Sequence, residues 1–118
     1  MKEKMWAQVF YKPEDVRFEQ IDVPRPGDDE ILVKIKAATT CGTDLKTYRR
    51  GHPTIIQKVP STFGHEFSGD VVEVGKNVKN FKVGDRAVGA NSVPCFHCYF
   101  CKRKEYSLCE NLQYLNGA

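Results

Sequence analysis

Nothing in this sequence approaches the ~20 consecutive apolar residues that a membrane-spanning helix needs. The start, Met1-Lys2-Glu3-Lys4, runs into a strand-like stretch rather than the apolar core and small-residue cleavage site of a secretory signal. No segment repeats and no tract is of low complexity. No Gly-x-Gly-x-x-Gly occurs, so the glycine fingerprint that seats a dinucleotide at a helix N-terminus is missing. Charge of one sign is scarce. A net charge of +3 gives little attraction for nucleic acid, and the one basic cluster, Lys102-Arg103-Lys104, ends at Glu105 and reads as a solvated loop face. What remains is a chain of 118 residues, 41% apolar, enough for one domain with a modest core and too apolar for disorder. Without a leader, a reducing cytoplasm is the expected compartment.

Cysteine, by contrast, is abundant and clustered. Four of the five fall in one stretch: Cys95, Cys98, Cys101 and Cys109. Two-residue gaps let backbone turns aim neighbouring sulfurs at one point, and the longer gap lets the chain loop round to close the cage. Four thiolates at about 2.3 Å suit a closed tetrahedral zinc site, which stabilises a fold and leaves no position for substrate. Disulfides fit less well, given the odd count and the expected compartment. An iron–sulfur electron-transfer module is the rival reading, because Cys-x-x-Cys-x-x-Cys opens a bacterial ferredoxin run. Here, however, Cys109 comes after a longer gap than that run has, and Glu110 stands where proline is expected.

The rest of the chain reads as short strands broken by Gly and Pro, an all-β barrel or sandwich. Met5 to Tyr11 and Val16 to Ile21 form a hairpin about Lys12-Pro13-Glu14-Asp15. Ile31 to Ala38 alternates, with Ile31, Val33, Ile35 and Ala37 on one face and Lys34 and Lys36 on the other, which predicts a half-buried strand. Thr43 or Asp44 caps a short helix to about Arg49, and Gly51 ends it. His52 to Thr62 is a loop. Glu66 to Val74 is a strand, with Gly64 and Gly69 marking close approaches. Gly75-Lys76-Asn77 is a strand-end turn, and Lys82-Val83-Gly84-Asp85 a tight turn into Arg86 to Ala90. Nothing in Gln113 to Ala118 looks like the close of a domain.

The fifth cysteine begins Cys41-Gly42-Thr43-Asp44, and Gly64-His65-Glu66 lies downstream. Cysteine, histidine and carboxylate together have the chemistry of a catalytic zinc, which keeps one position open. Residue types alone leave a blander alternative: a buried small cysteine and a hydrogen-bonded structural histidine.

Taken in order, Cys41-Gly42-Thr43-Asp44, Gly64-His65-Glu66-Phe67-Ser68-Gly69, Val83-Gly84-Asp85-Arg86 and the cysteine lobe resemble the zinc-dependent medium-chain alcohol dehydrogenases. The likeness is to the N-terminal part of their catalytic domain, nearest the polyol and threonine dehydrogenase branch, and it spans essentially all of residues 1–118. It implies a mainly β fold: a GroES-like β-barrel with a short helix and a zinc lobe over 91–113, cut short before a Rossmann domain. It implies that Cys41 and His65 ligate a catalytic zinc, with Glu66 a ligand or a close neighbour. Thr43 would bond the substrate hydroxyl and start its proton relay. Asp44 would orient His65, and Cys95, Cys98, Cys101 and Cys109 would hold a structural zinc.

The activity so implied interconverts a secondary alcohol or polyol and its ketone, with zinc polarising the oxygen and NAD or NADP bound by the absent domain. Two zincs per full-length subunit and a homodimer or homotetramer are implied too, with no nucleic acid or membrane partner. The histidine that many relatives carry after the Thr-Asp pair is replaced here by Leu45-Lys46-Thr47, which leaves Lys46 or His52 to complete the relay. This chain alone is expected to be inactive and to hold the second zinc weakly or not at all. Other readings are a non-enzymatic zinc-stapled GroES-like binding domain and a zinc-free quinone reductase; the Cys41/His65 set argues against both.

Overall fold

The computed structural model describes residues 2–114. The stretch Leu115–Ala118, expected not to close a domain, lies outside them.

Strand β1 (Lys4–Lys12) and strand β2 (Asp15–Asp22) form the expected antiparallel hairpin, with Val9 opposite Arg17. Glu14 sits in its turn at φ 64°, and its N–H reaches Tyr48 O at 2.7 Å, tying the hairpin to helix α1 (Gly42–Arg50). Strand β3 (Ile31–Thr39) runs antiparallel to β5 (Glu66–Val74), and β5 to β6 (Arg86–Val88). The short β4 (Ser61–Thr62) pairs with β1. The two sheets therefore have the orders β2-β1-β4 and β3-β5-β6, and a two-stranded ribbon joins β7 (Ser92–Val93) to β8 (Gln113–Tyr114). Between those last strands lie a helical turn, α2 (Tyr99–Lys102), and a 3₁₀ turn at Tyr106–Leu108. The expected mainly β fold with one short helix is present. No helix among the described residues is long and apolar enough to cross a membrane.

The buried core is small. Val9 and Phe10 of β1 and Val71 of β5 are its best-shielded apolar side chains, and Phe10 stacks on Phe63 with ring centroids 6.1 Å apart. Full burial of such a side chain stabilises by about 1.5–3 kcal/mol.

Four expectations need correction. Strand β3 does not keep one alternating face. Its register against β5 shifts between Leu32 and Val33 and again between Ile35 and Ala37, so Ile31, Leu32 and Val33 are all half-buried while Ile35 is 58% exposed. Each bulge inverts the inside–outside sense of the residues beyond it. The helix is capped by Cys41, not by Thr43 or Asp44. Asp44 sits at the third helical position, where its Oδ2 accepts the Cys41 N–H at 3.0 Å. Residues Ser61–Thr62, expected to be loop, are the strand that covers β1. At Gly64 the need is conformational: φ is +107° and a Cβ would meet nothing within 4 Å.

Gly69 does mark a close approach. A Cβ there would lie 2.1 Å from Lys34 O, so β3 and β5 could not pair at this register with any other residue. Gly51 ends the helix at φ 76°, its N–H bonded to Thr47 O. The Lys82–Asp85 turn closes through Asp85 N–H to Lys82 O at 3.1 Å.

Candidate metal centres

The β3–β5 pairing decides what stands at one end of the second sheet. Thr39 lies directly opposite Glu66. Cys41 stands two residues after Thr39 and caps α1, while His65 immediately precedes Glu66. Two loops far apart in sequence are thus delivered to the same corner by strand register.

There Cys41 Sγ lies 3.2 Å from His65 Nε2, and the Cys41, His65 and Glu66 ligand atoms all fall within 4.8 Å of one another. The His65 ring is buried at 8% exposure, and its Nδ1 meets Asp44 Oδ1 at 3.1 Å. A carboxylate on Nδ1 holds the proton there and leaves the Nε2 lone pair facing the cysteine, the tautomer that ligates a metal. Asp44, itself 5% exposed, therefore has both oxygens in use: one on His65, one on the Cys41 N–H.

The donor set suits zinc. Sulfur and imidazole nitrogen around a tetrahedral ion stand about 3.5 Å apart, given Zn–S near 2.3 Å and Zn–N near 2.0–2.1 Å. The observed 3.2 Å is within a few tenths of that. Three protein ligands also leave a fourth position free.

Beside the cluster lies an open groove of about 380 Å³, bordered by Ala37, Ala38, Thr39, Ser68 and Gly89 as well as by His65 and Glu66. A larger depression, of about 460 Å³, lies at the opposite end of β3 around Ile31, Asn77 and Phe81, away from both metal-ligating clusters. Only the smaller of these two hollows is bordered by residues of a candidate metal cluster, His65 and Glu66.

Of the other residues marked in the sequence, Thr43 is half-buried on the first turn of α1, with its carbonyl accepting the Thr47 hydroxyl at 2.7 Å. Lys46 is on the exposed side of α1. His52 is turned onto its own loop, where Nδ1 accepts the N–H groups of Thr54 and Ile55 at 3.3 Å each. The groove walls and the Thr39–Glu66 pairing escaped the sequence reading. The two paired residues are 27 positions apart, and only strand register brings them together.

The second cluster is the lobe. Cys95, Cys98, Cys101 and Cys109 converge with all four sulfurs within 4.8 Å of one another, unpaired by disulfides. Cys95 and Cys101 sulfurs lie 3.9 Å apart, close to the roughly 3.8 Å edge of a zinc–thiolate tetrahedron. Backbone N–H groups point at the sulfurs: those of His97 and Cys98 at Cys95, and those of Cys95 and Asn111 at Cys109. The His97 N–H and its neighbours draw the Cys95 thiol down to about 6, whereas burial pushes Cys101 up to about 12. A thiol donor set split in this way takes up a metal with proton release, so its affinity rises with pH.

Residues 27–118 match the family described as the alcohol dehydrogenase GroES-like domain. The chain is 42% identical over 113 residues to L-threonine 3-dehydrogenase of Pyrococcus furiosus, covering 94% of this chain and 32% of that protein. It is 42% identical over 114 residues to sorbitol dehydrogenase of Bombyx mori, covering 95% and 32% respectively. A cobalt- and zinc-bound thermostable alcohol dehydrogenase from Pyrobaculum aerophilum superposes with a TM-score of 0.84 at 27% identity, covering 98% of this chain and 37% of that one. The chain thus spans about a third of the length of the curated relatives it matches.

Proposed function

The chain belongs to the alcohol dehydrogenase GroES-like domain family, and from that premise we propose that it is the zinc-binding, substrate-facing part of an NAD(P)-dependent oxidoreductase. The reaction is the interconversion of a secondary alcohol or polyol and its ketone. The observation that carries this reading is the Cys41–His65–Glu66 set, backed by Asp44 and opening onto a groove.

Cys41, His65 and Glu66 would hold the catalytic zinc, and the four lobe cysteines a structural one. When bound, the catalytic ion supplies Lewis-acid polarisation of the substrate oxygen. The protein's own residues do the rest. Asp44 fixes the imidazole of His65 and anchors the backbone of Cys41. Thr43, on the turn just after Cys41, bonds the substrate hydroxyl and takes its proton towards solvent. Small side chains at Ala37, Ala38, Ser68 and Gly89 leave room for a small alcohol in the groove. His52, held as an acceptor by its own loop, is the weaker of the two relay ends, and exposed Lys46 the stronger. The nicotinamide dinucleotide would be bound outside residues 1–118, which hold no Gly-x-Gly-x-x-Gly fingerprint. The full assembly is a homodimer or homotetramer in the reducing cytoplasm, where free thiols persist. The isolated chain accordingly turns nothing over.

A chimera tests the reading. This chain replaces the matching third of the Bombyx mori sorbitol dehydrogenase, and a panel of polyols and secondary alcohols is assayed with NAD and NADP. The expected result is alcohol-dependent nicotinamide reduction that His65→Ala abolishes. A folded, zinc-loaded chimera with no such activity, or activity in the isolated chain, would overturn the proposal.

A further inference from the structure

Thr39 is not among the residues that the chemistry of the site singles out, yet its side chain is tied to one that is. Its hydroxyl donates to Glu66 Oε2 at 2.5 Å, the length of a charge-assisted O–H···O⁻ bond. The contact is a directly opposed pair at the end of the β3–β5 ladder, so both backbones are fixed by the sheet. Among the described residues the Glu66 carboxylate has no second hydrogen-bond partner, while its neighbour His65 is held by Asp44, on a different element. A glutamate side chain has three rotatable bonds, and an exposed or half-buried one samples many orientations. Here one oxygen is engaged by a neutral donor, and the carboxylate stays within 4.8 Å of the Cys41 and His65 ligand atoms.

Building on the zinc reading of this site, we propose that Thr39 is a positioning residue for the metal centre: it holds the Glu66 carboxylate in place to bind the ion through a single oxygen. The hydroxyl occupies Oε2, which disfavours two-oxygen ligation and leaves Oε1 for the metal. The bond is open to solvent, so it adds little to folding stability, and its effect falls on metal affinity and on the symmetry of the ligand field. Partners that orient a ligand in this way typically account for 10–100-fold in metal affinity.

Co(II) is the probe, titrated into the chain with zinc already in the cysteine lobe. The visible d–d and sulfur-to-cobalt bands that vanish in Cys41→Ser define the site. Thr39→Val keeps the β-branched shape and removes the hydroxyl. It is expected to weaken Cys41-dependent Co(II) binding about 10–100-fold and to shift the d–d bands, with thermal unfolding unchanged. Thr39→Ser should restore both affinity and spectrum, and Thr39→Val should have no further effect once Glu66 is alanine. Unchanged or tighter binding in Thr39→Val overturns the proposal, as does equal weakening in the Glu66→Ala background or failure of serine to rescue. If the parent chain shows no Cys41-dependent band, the same comparison is made in the sorbitol dehydrogenase chimera, where absence of the band removes the metal centre and the role of Thr39 with it.

Discussion

Asp44 shows how much one side chain can settle. Both groups it faces are donors: the Cys41 N–H on one oxygen and the His65 Nδ1–H on the other. Asn has a single acceptor oxygen, so Asp44→Asn must turn its NH₂ towards one of these donors. Removing one buried partner in this manner costs about 1–3 kcal/mol of folding stability. At the ion, the loss of the fixed tautomer should weaken binding at Cys41/His65 about 10–100-fold while the lobe keeps its metal. Competition titration with a chromogenic chelator reads the affinity, and nitrogen chemical shifts of His65 read the tautomer. Wild-type affinity with an unaltered Nδ1–H form would remove Asp44 from this role. The link from Asp44 to His65 was implied by the family resemblance that the Cys-Gly-Thr-Asp motif carries. Its second bond, to the Cys41 backbone, was not, because it depends on Cys41 being the helix cap.

At the level of elements, local signals were read well where they were strong and uninterrupted. The β1–β2 hairpin and strand β5 fall where alternation and turn residues put them. Strand β3 does not show its expected face because two register shifts interrupt it, and bulges leave no mark in the hydrophobic pattern. The same blindness hid the Thr39–Glu66 pair, since strand register is a property of two segments at once.

The lobe holds a further device that the sequence does not advertise. Lys104 lies at φ 63° just past α2, with its N–H bonded to Cys101 O and the Glu105 N–H to Phe100 O, both at 2.9 Å. This is a Schellman closure with lysine where glycine is usual. The left-handed conformation costs a non-glycine residue roughly 1–2 kcal/mol, partly offset by the greater flexibility that glycine has when unfolded. Lys104→Gly should therefore stabilise the zinc-loaded lobe by up to about 1 kcal/mol, read as a higher denaturation midpoint. A lower midpoint would mean that the exposed lysine contributes something its backbone angle does not reveal.

Over the whole molecule, two small sheets and a cysteine lobe share few well-buried apolar side chains, and large ones such as Trp6, Phe18 and Val88 stay exposed. A core this thin would leave much of the lobe's order to the zinc proposed for it, and structural zinc contributes roughly 10–16 kcal/mol of apparent binding energy in small peptides near neutral pH. The grouping of the four lobe cysteines was plain from spacing alone. The Cys41/His65/Glu66 set was not, because nothing in a 23-residue interval between Cys41 and Gly64 says that both ends meet at one sheet corner; the family motifs supplied it, and the β3–β5 register shows how the residues converge.

The central claim is that the chain builds two separate zinc sites, one closed and one open. Elemental analysis of the purified chain, with zinc in excess and again after gel filtration, tests it most directly. Two zincs per chain are expected in excess and one after filtration, with Cys41→Ser holding one under both conditions. Iron with sulfide in a brown protein, or two zincs retained by Cys41→Ser, would contradict it.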